Sequence, residues 1–437
     1  MRLRTPPRGE QRGPAAQTTF RQTLLQRRGL NVLYFHQYFA TRRRSTATRS
    51  YELARRLVER GHRVTVVSRD TRRLESGRDL PPEGKLVGRE EVDGIDVLYL
   101  NIPYANRYST PVRLASFTAF TVAASVAGAL QQRPDVVFAS STPLTIGAAG
   151  LLTARIKRAP FVFEIRDLWP AVPVALGALK SGPAISSAEW FERRLYNGAE
   201  RVIVLSEGSR EELERRGIPA GKLVLIPNAA DLDVFRPDVV DERFRAEHGL
   251  EGRFVALYGG AMGRANGLDQ LVDAADALRR WGDTRITIVA LGDGGERSRL
   301  EERARELALD NLLFLPPVPK EQLAGIVGAA DATLTIFAPH PILETNSPNK
   351  FFDSLAAGKP VVVNLGGWLR ELVERHEAGV WVPAGNAEAL AGALSALAAN
   401  PERVELMGRN ARALAEREFG RDEMAERLAR TLEDVAG

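Results

Sequence analysis

Glu344-Thr345-Asn346-Ser347-Pro348-Asn349-Lys350-Phe351-Phe352-Asp353-Ser354-Leu355-Ala356-Ala357-Gly358-Lys359-Pro360 reads as a loop that runs into a helix and then a strand. Ser347 is a candidate N-cap, and Pro348 suits a first turn, where a missing N–H costs nothing. Phe351, Phe352, Leu355 and Ala356 recur at helical spacing and predict a buried face. Gly358 stops the helix, and Pro360-Val361-Val362-Val363 opens a strand. The unpaired N–H groups of such a helix start attract an anion, and Lys350 adds a full charge beside them. Glu344 before the helix and Asp353 inside it place a carboxylate at either end of an extended ligand. An anion with polar groups on both sides is the outline of a nucleotide-sugar.

Working outward, the same punctuation recurs. Asn31 to Phe35 is a buried strand, and His36-Gln37-Tyr38-Phe39 follows at its carboxyl end. A helix from about Thr48 carries Tyr51, Ala54, Leu57 and Val58 on one side. His62 closes that helix, and Val64 to Val67 is the next strand. This is a βαβ unit, which implies a parallel sheet. Strands follow at Gly94–Leu100, Pro134–Ala139, Pro160–Phe163, Arg201–Leu205 and Leu223–Asn228. Phe235-Arg236-Pro237-Asp238 breaks the pattern, which restarts at Phe254-Val255-Ala256-Leu257-Tyr258. The division expected is a disordered basic tail at 1–29, a first Rossmann-like domain at 30–236, a charged linker at 237–252, a second Rossmann-like domain at 253–420 and a last helix at 421–437. That helix has the position to cross back to the first domain.

Composition narrows the classes. The chain has 437 residues, 44% apolar, and no cysteine. Disulfides, thiolate nucleophiles and cysteine metal sites are excluded, and a cytoplasmic setting fits. The net charge of +5 resides in the first thirty residues, which hold seven Arg and one Glu. The remainder is close to neutral, unlike a globally basic nucleic-acid binder. Val112 to Leu130 is the most apolar long run, interrupted by Arg113, Ser116, Thr118, Thr121 and Ser125. It reads as a buried or half-buried helix. The alternative for it, and for the basic tail, is peripheral contact with an anionic membrane at its inner face.

Several residues stand at strand carboxyl ends, where open α/β sheets bind ligands. These are His36, the cluster Glu164-Ile165-Arg166-Asp167-Leu168-Trp169-Pro170, the glycine-rich turn Gly259 to Gly267, and Asp293. Asp231-Leu232-Asp233 matches a short metal-binding pattern, but it heads the linker after a Pro-Asn turn. No tightly bound metal is expected.

Ser347-Pro348-Asn349-Lys350 through Lys359-Pro360, the turn Gly259–Gly267, Thr48 to Ala54, Glu164–Pro170 and Pro227-Asn228 together resemble the retaining glycosyltransferases of family 4, with the GT-B fold. Phe35 to Phe39 and Glu164 to Pro170 resemble the branch that builds bacterial surface polysaccharides. The resemblance spans about residues 31 to 430. It implies two Rossmann-like domains facing across a cleft, with the acceptor on the first and the nucleotide-sugar on the second.

It further implies that Glu344 contacts the donor sugar and Asp353 the ribose. Ser347, Asn349 and Lys350 would hold the diphosphate, beside Gly259 and Gly260. This chain departs from the family in three places. Eight residues separate Glu344 from Asp353 where the family has seven between two Glu. Ala261 and Asn266 replace an Arg/Lys pair, leaving Arg264 and Lys350 to meet the diphosphate. Arg42-Arg43-Arg44-Ser45-Thr46 replaces a glycine-rich loop.

The expected activity is transfer of a sugar from a UDP-linked donor to a lipid-linked or glycan acceptor, with retained configuration and no cofactor. Lys350 and Glu344 would act at the donor. Asp167 would orient the acceptor hydroxyl or take its proton, with His36, Arg166 and Trp169 on the acceptor side. The rivals are a UDP-sugar epimerase on the same fold and a non-catalytic nucleotide-sugar-binding module. A dinucleotide oxidoreductase is disfavoured, because no G-x-G-x-x-G turn follows the first strand.

Overall fold

The computed structural model describes residues 29–42, 48–70, 86–104, 108–177 and 179–437. The tail at 1–28 and residues 43–46 of the arginine-rich loop lie outside the described residues.

Two parallel sheets carry the fold. The first contains β1 (Asn31–Phe35), β2 (Arg63–Arg69), β3 (Val87–Val92), β4 (Ile95–Leu100), β5 (Val136–Ser140), β6 (Phe161–Ile165), β7 (Arg201–Val204) and β8 (Leu223–Leu225). Their order is β3-β4-β2-β1-β5-β6-β7-β8, and only β3 with β4 runs antiparallel. The second contains β9 (Phe254–Gly259), β10 (Ile286–Leu291), β11 (Leu312–Leu315), β12 (Ala332–Thr335), β13 (Val361–Val363) and β14 (Gly379–Trp381), in the order β11-β10-β9-β12-β13-β14. The central strands are continuous apolar runs because helices cover both of their faces. Along β1, Leu33 and Phe35 enter one core while Val32 and Tyr34 enter the other. That is the two-residue period of a strand sorting its side chains.

Each sheet reverses its order once. The first does so between β1 and β5, with Phe35 level with both Val67 and Ala139. The second does so between β9 and β12. Open α/β sheets bind ligands in the crevice outside such reversal points. The cavity described below opens at the second of these places, and His36 stands at the first.

On the first domain, helices Thr110–Leu130, Ile146–Lys157 and Gly182–Gly198 cover one face. The other face takes helix Arg49–Glu59 and helix Arg421–Ala436, whose Met424, Leu428 and Leu432 are buried with Val32 and Tyr34. Arg56 pairs with Asp422 at 2.5 Å and Arg60 with Glu426 at 3.0 Å. The chain's last helix therefore packs on its first domain. The chain passes between domains twice, side by side: Ala230 donates to the Phe419 carbonyl and accepts from Arg421 N–H. The stretch read from sequence as a linker holds helix Phe244–Glu247 and buries Phe244 and Leu250 in the second-domain core.

Candidate functional site

The donor motif folds as a 3₁₀ turn, Pro341–Thr345, followed by helix Asn349–Ala356. Phe351, Phe352, Leu355 and Ala356 are fully buried. The start differs from the sequence expectation. Pro348, not Ser347, occupies the N-cap position, with extended backbone and no side-chain cap. Ser347 is instead held from across the domain boundary, where its hydroxyl accepts from Asn228 N–H at 3.2 Å and its carbonyl accepts from the Asn228 amide.

Lys350 turns its ammonium inward, 3.6 Å from the centre of the Tyr258 ring and 5.9 Å from that of Phe337. The nitrogen is buried and has no hydrogen-bond partner. Burial lowers its pKa to about 7. The ring faces offset part of the cost of burying that charge. Gly260 makes the approach possible. Its φ is +148°, and a Cβ there would lie 3.0 Å from Lys350 Nζ. Glycine at this turn thus serves close packing of the lysine.

Asp353, one turn further on, is buried, with its Oδ1 lacking a hydrogen bond. Lys320 Nζ lies 3.5 Å from that oxygen. Burial raises the Asp353 pKa, Lys320 and Arg421 pull it down and Asp231 pushes it up; it settles at about 6. Lys320 also donates to Asp231 at 2.5 Å, and Asp231 in turn takes the guanidinium of Arg421. Burial opposes ionisation of Asp231, but Arg421 and Lys320 hold its pKa below the usual range. Asp233 pairs with Arg42 at 2.8 Å. Cations thus engage both carboxylates of the Asp231-Leu232-Asp233 pattern.

Lys350, Asp353 and Lys320 line a cavity of about 460 Å³, with Gly259, Gly260 and Asn349 on its wall and Thr48 entering from the first domain. Larger hollows of about 920 and 730 Å³ lie at the amino ends of the strands, one in each domain. None of the expected site residues lines either of them.

The remaining donor-side expectations spread out. Glu344 is exposed and faces Gly366, whose Cβ would come within 2.8 Å of its carboxylate. Arg264 is exposed, 3.6 Å from Glu296. Asp293 is exposed at the end of β10 and accepts from Gly294 N–H at 2.8 Å. Lys350, Asp353 and the 259–260 turn converge on the cavity, whereas Glu344, Arg264 and Asp293 do not line it.

On the first domain, His36 Nδ1 lies 3.1 Å from the Ser140 carbonyl, spanning the β1/β5 reversal. Its Nε2 is buried without a partner. Burial and the nearby Arg166 lower its pKa to about 3. The ring is therefore neutral, with a proton on Nδ1 and a lone pair on Nε2. Arg166 donates to Ser140 Oγ at 3.0 Å and approaches Glu164 at 3.4 Å. Asp167 accepts from Thr142 at 3.2 Å, and burial of its carboxyl raises its pKa against the pull of Thr142 and Arg166. Trp169 packs against the first-domain core.

Sequence reading missed Arg49, Asn228 and Lys320 as site residues. Arg49 is 1% exposed and joins Glu164 to the turn at 226–228. A signal was available. Arg49, Lys320 and Arg421 each begin a helix, where the macrodipole disfavours a cation. Such a residue needs a compensating carboxylate, and each of the three has one.

Two facing Rossmann-like domains with a basic helix start at a sheet reversal define a GT-B transferase. Residues 45–229 match the glycosyl transferase 4-like domain, and residues 240–414 match glycosyl transferases group 1. The chain belongs to the GT-B glycosyltransferases of the family 4 type. It is 26% identical over 263 residues to a protein of Escherichia coli K12 described as the putative colanic acid biosynthesis glycosyl transferase WcaI. That match covers 58% of this chain and 64% of the relative, just under two thirds of its length. A sucrose-phosphate synthase from Thermosynechococcus elongatus superposes with a TM-score of 0.72 at 20% identity, covering 92% of this chain and 98% of that one. Anabaena HepE in complex with UDP-glucose gives 0.68 at 18%, covering 93% and 100%.

Proposed function

We propose that the protein transfers a sugar, with retained configuration, from a UDP-sugar bound by the second domain to a lipid-linked or glycan acceptor bound by the first. The observation that carries this reading is the buried, unpartnered Lys350 ammonium at the start of helix Asn349–Ala356. A desolvated cation beside free helix N–H groups is costly until an anion arrives. A diphosphate supplies that anion, and its charge grows as the sugar leaves. Asp353 lies one helical turn beyond Lys350 in the same cavity, placed for ribose hydroxyls. HepE was solved with UDP-glucose, which supports uridine as the base. On the other domain, Asp167, His36 and Arg166 form the acceptor side. Cations occupy Asp231 and Asp233, so the reaction needs no metal and a chelator leaves the rate unchanged.

A thermal-shift screen of nucleotides tests the donor side, since a ligand of the native state raises the Tm. UDP and UDP-sugars should raise it, and GDP and ADP should not. A shift from GDP alone would replace the uridine assignment. An isomerised sugar released without acceptor would favour the epimerase rival, and binding without turnover the non-catalytic one.

An anionic membrane surface is part of this proposal. Among the described residues, eight of thirteen exposed large apolar side chains lie on the three helices that cover one face of the first domain, including Leu114, Leu130, Ile156 and Trp190. Basic residues outnumber acidic ones on that layer; Arg113, Arg155, Lys157 and Arg194 are among them. Apolar area plus positive charge is the combination that binds an anionic bilayer. The protein should float with phosphatidylglycerol vesicles and not with phosphatidylcholine vesicles; equal behaviour with both would refute the assignment.

A further inference from the structure

The two sides of the cleft are joined by a buried chain of hydrogen bonds, with Arg49 at its centre. All five N–H bonds of its guanidinium have acceptors. Nε and Nη2 donate to Glu164 Oε2 at 3.0 and 2.7 Å. The second Nη2 proton meets the Ile226 carbonyl at 2.9 Å. Nη1 donates to the Pro227 carbonyl at 2.7 Å and reaches Asn228 Oδ1 at 3.4 Å.

Toward the acceptor, Glu164 also accepts from Ser140 Oγ at 2.6 Å and from Arg166. Burial pushes its pKa up, but Arg49, Arg166 and Ser140 outweigh this and hold it at about 2. Toward the donor, Asn228 has one orientation open to it. Its Oδ1 faces Arg49, so its Nδ2 must face the Ser347 carbonyl, to which it donates. Asn228 N–H takes the Ser347 hydroxyl as well. Two residues earlier, the Thr345 carbonyl accepts from Ser206 and Ser209 of the first domain. The loop that leads into Lys350 is therefore pinned by side chains of the opposite domain.

We propose that Arg49 is a positioning residue: through Asn228 it fixes Ser347, and with it the helix start and Lys350, in the geometry that takes the donor diphosphate. This rests on the donor reading above and adds that a first-domain residue which does not line the donor cavity sets donor affinity. Lysine could keep the ion pair to Glu164 but cannot also span the turn at 226–228, because its donors sit on one nitrogen. The turn and the loop would then lose their shared anchor.

Arg49→Lys and Asn228→Ala test this together. Each should weaken UDP binding, read by calorimetry, about tenfold, the worth of one or two buried hydrogen bonds. The double variant should bind no more weakly than the worse single one, because both act along one path. Donor KM should rise more than kcat falls. Hydrogen exchange in a peptide covering 344–352 should speed up, while that in β13 stays as in the wild type. A purely structural Arg49 would lower the Tm and leave UDP affinity and that exchange unchanged, which would overturn the proposal. If Arg49→Lys does not fold, Asn228→Ala decides the matter, since it removes no partner of Glu164. A wild-type protein that binds no UDP would sink the donor reading instead, and loop exchange alone would then judge the role of Arg49.

Discussion

The two reversal points hold clusters of buried charge that are built on opposite plans. At the first, Arg49 and Arg166 meet Glu164 and Asp167, and the Arg49 guanidinium has no donor to spare. At the second, Asp231 and Asp353 are matched by Lys320 and Arg421, and Lys350 remains as a cation with only aromatic faces beside it. A matched buried cluster fixes geometry, because removing either partner strands a charge at a cost of about 3–5 kcal/mol. An unmatched charge costs stability in the empty protein and is recovered when a ligand of opposite sign binds. The difference separates a cluster that holds the β1/β5 reversal in place from one that leaves a cation unpaired, as the proposed donor site requires.

The sharpest break in this comparison is Lys350→Met, which keeps the volume and deletes the surplus charge. Transfer should fall by about 10²–10³, as when one donor to a developing anion is lost. The empty protein should melt higher, since the methionine needs no counter-charge. Steady-state kinetics and a thermal melt read both effects. Near-normal kcat/KM, or a Tm several degrees lower, would mean that the lysine is a structural element of the second core.

Asp167→Asn probes the matched cluster at the carboxylate proposed to meet the acceptor. Its carboxyl accepts a hydrogen bond from Thr142. Transfer should slow by about 10² if proton transfer is lost. UDP affinity should not move, because Asp167 takes no part in the Arg49–Asn228–Ser347 chain that reaches the donor loop. Loss of UDP binding would assign Asp167 to the donor side or to the fold, and a wild-type rate would make it structural.

The fold was legible because parallel strands buried on both faces are written as unbroken apolar runs. β3 was not, since Val87–Val92 reads Val-Gly-Arg-Glu-Glu-Val and sits exposed on an antiparallel edge. β14 was not either, because Gly379–Trp381 opens on a glycine and lies half-buried at the edge of its sheet. Within the site, Lys350 and Asp353 were legible because they stand four residues or fewer from the loop that defines them. Arg49 was not, because its partner Glu164 is 115 residues away. The same holds for Lys320 and Arg421, which meet at Asp231 across 89 and 190 residues. Ser347 was misread as a cap because its true partner, Asn228, belongs to the other domain.

The smallest effect expected is a pH dependence that belongs to one cluster alone. Glu164 and His36, with pKa values of about 2 and 3, do not change charge between pH 5 and 9. Lys350, at about 7, does. Its folded pKa lies below the unfolded lysine value of about 10.4, so between those limits the unfolded chain binds the proton and the native state does not. Stability from this group therefore rises as pH rises through that window, and the burden of the charged form is greatest near pH 7 and below. Asp353 has the opposite sign. Its pKa of about 6 lies above the unfolded value, so its contribution is present at low pH and is lost as pH climbs to 6. Comparing Lys350→Met with the wild type isolates the lysine, because Asp353 is common to both. The stability advantage of the methionine variant should be largest at pH 7 and shrink by about 2 kcal/mol toward pH 9, measured by urea unfolding at each pH. The same comparison for a first-domain variant such as Asn228→Ala should be flat over that range. An advantage for methionine that does not change with pH would mean that Lys350 is solvated, and the contrast between the two clusters would fail at its second half.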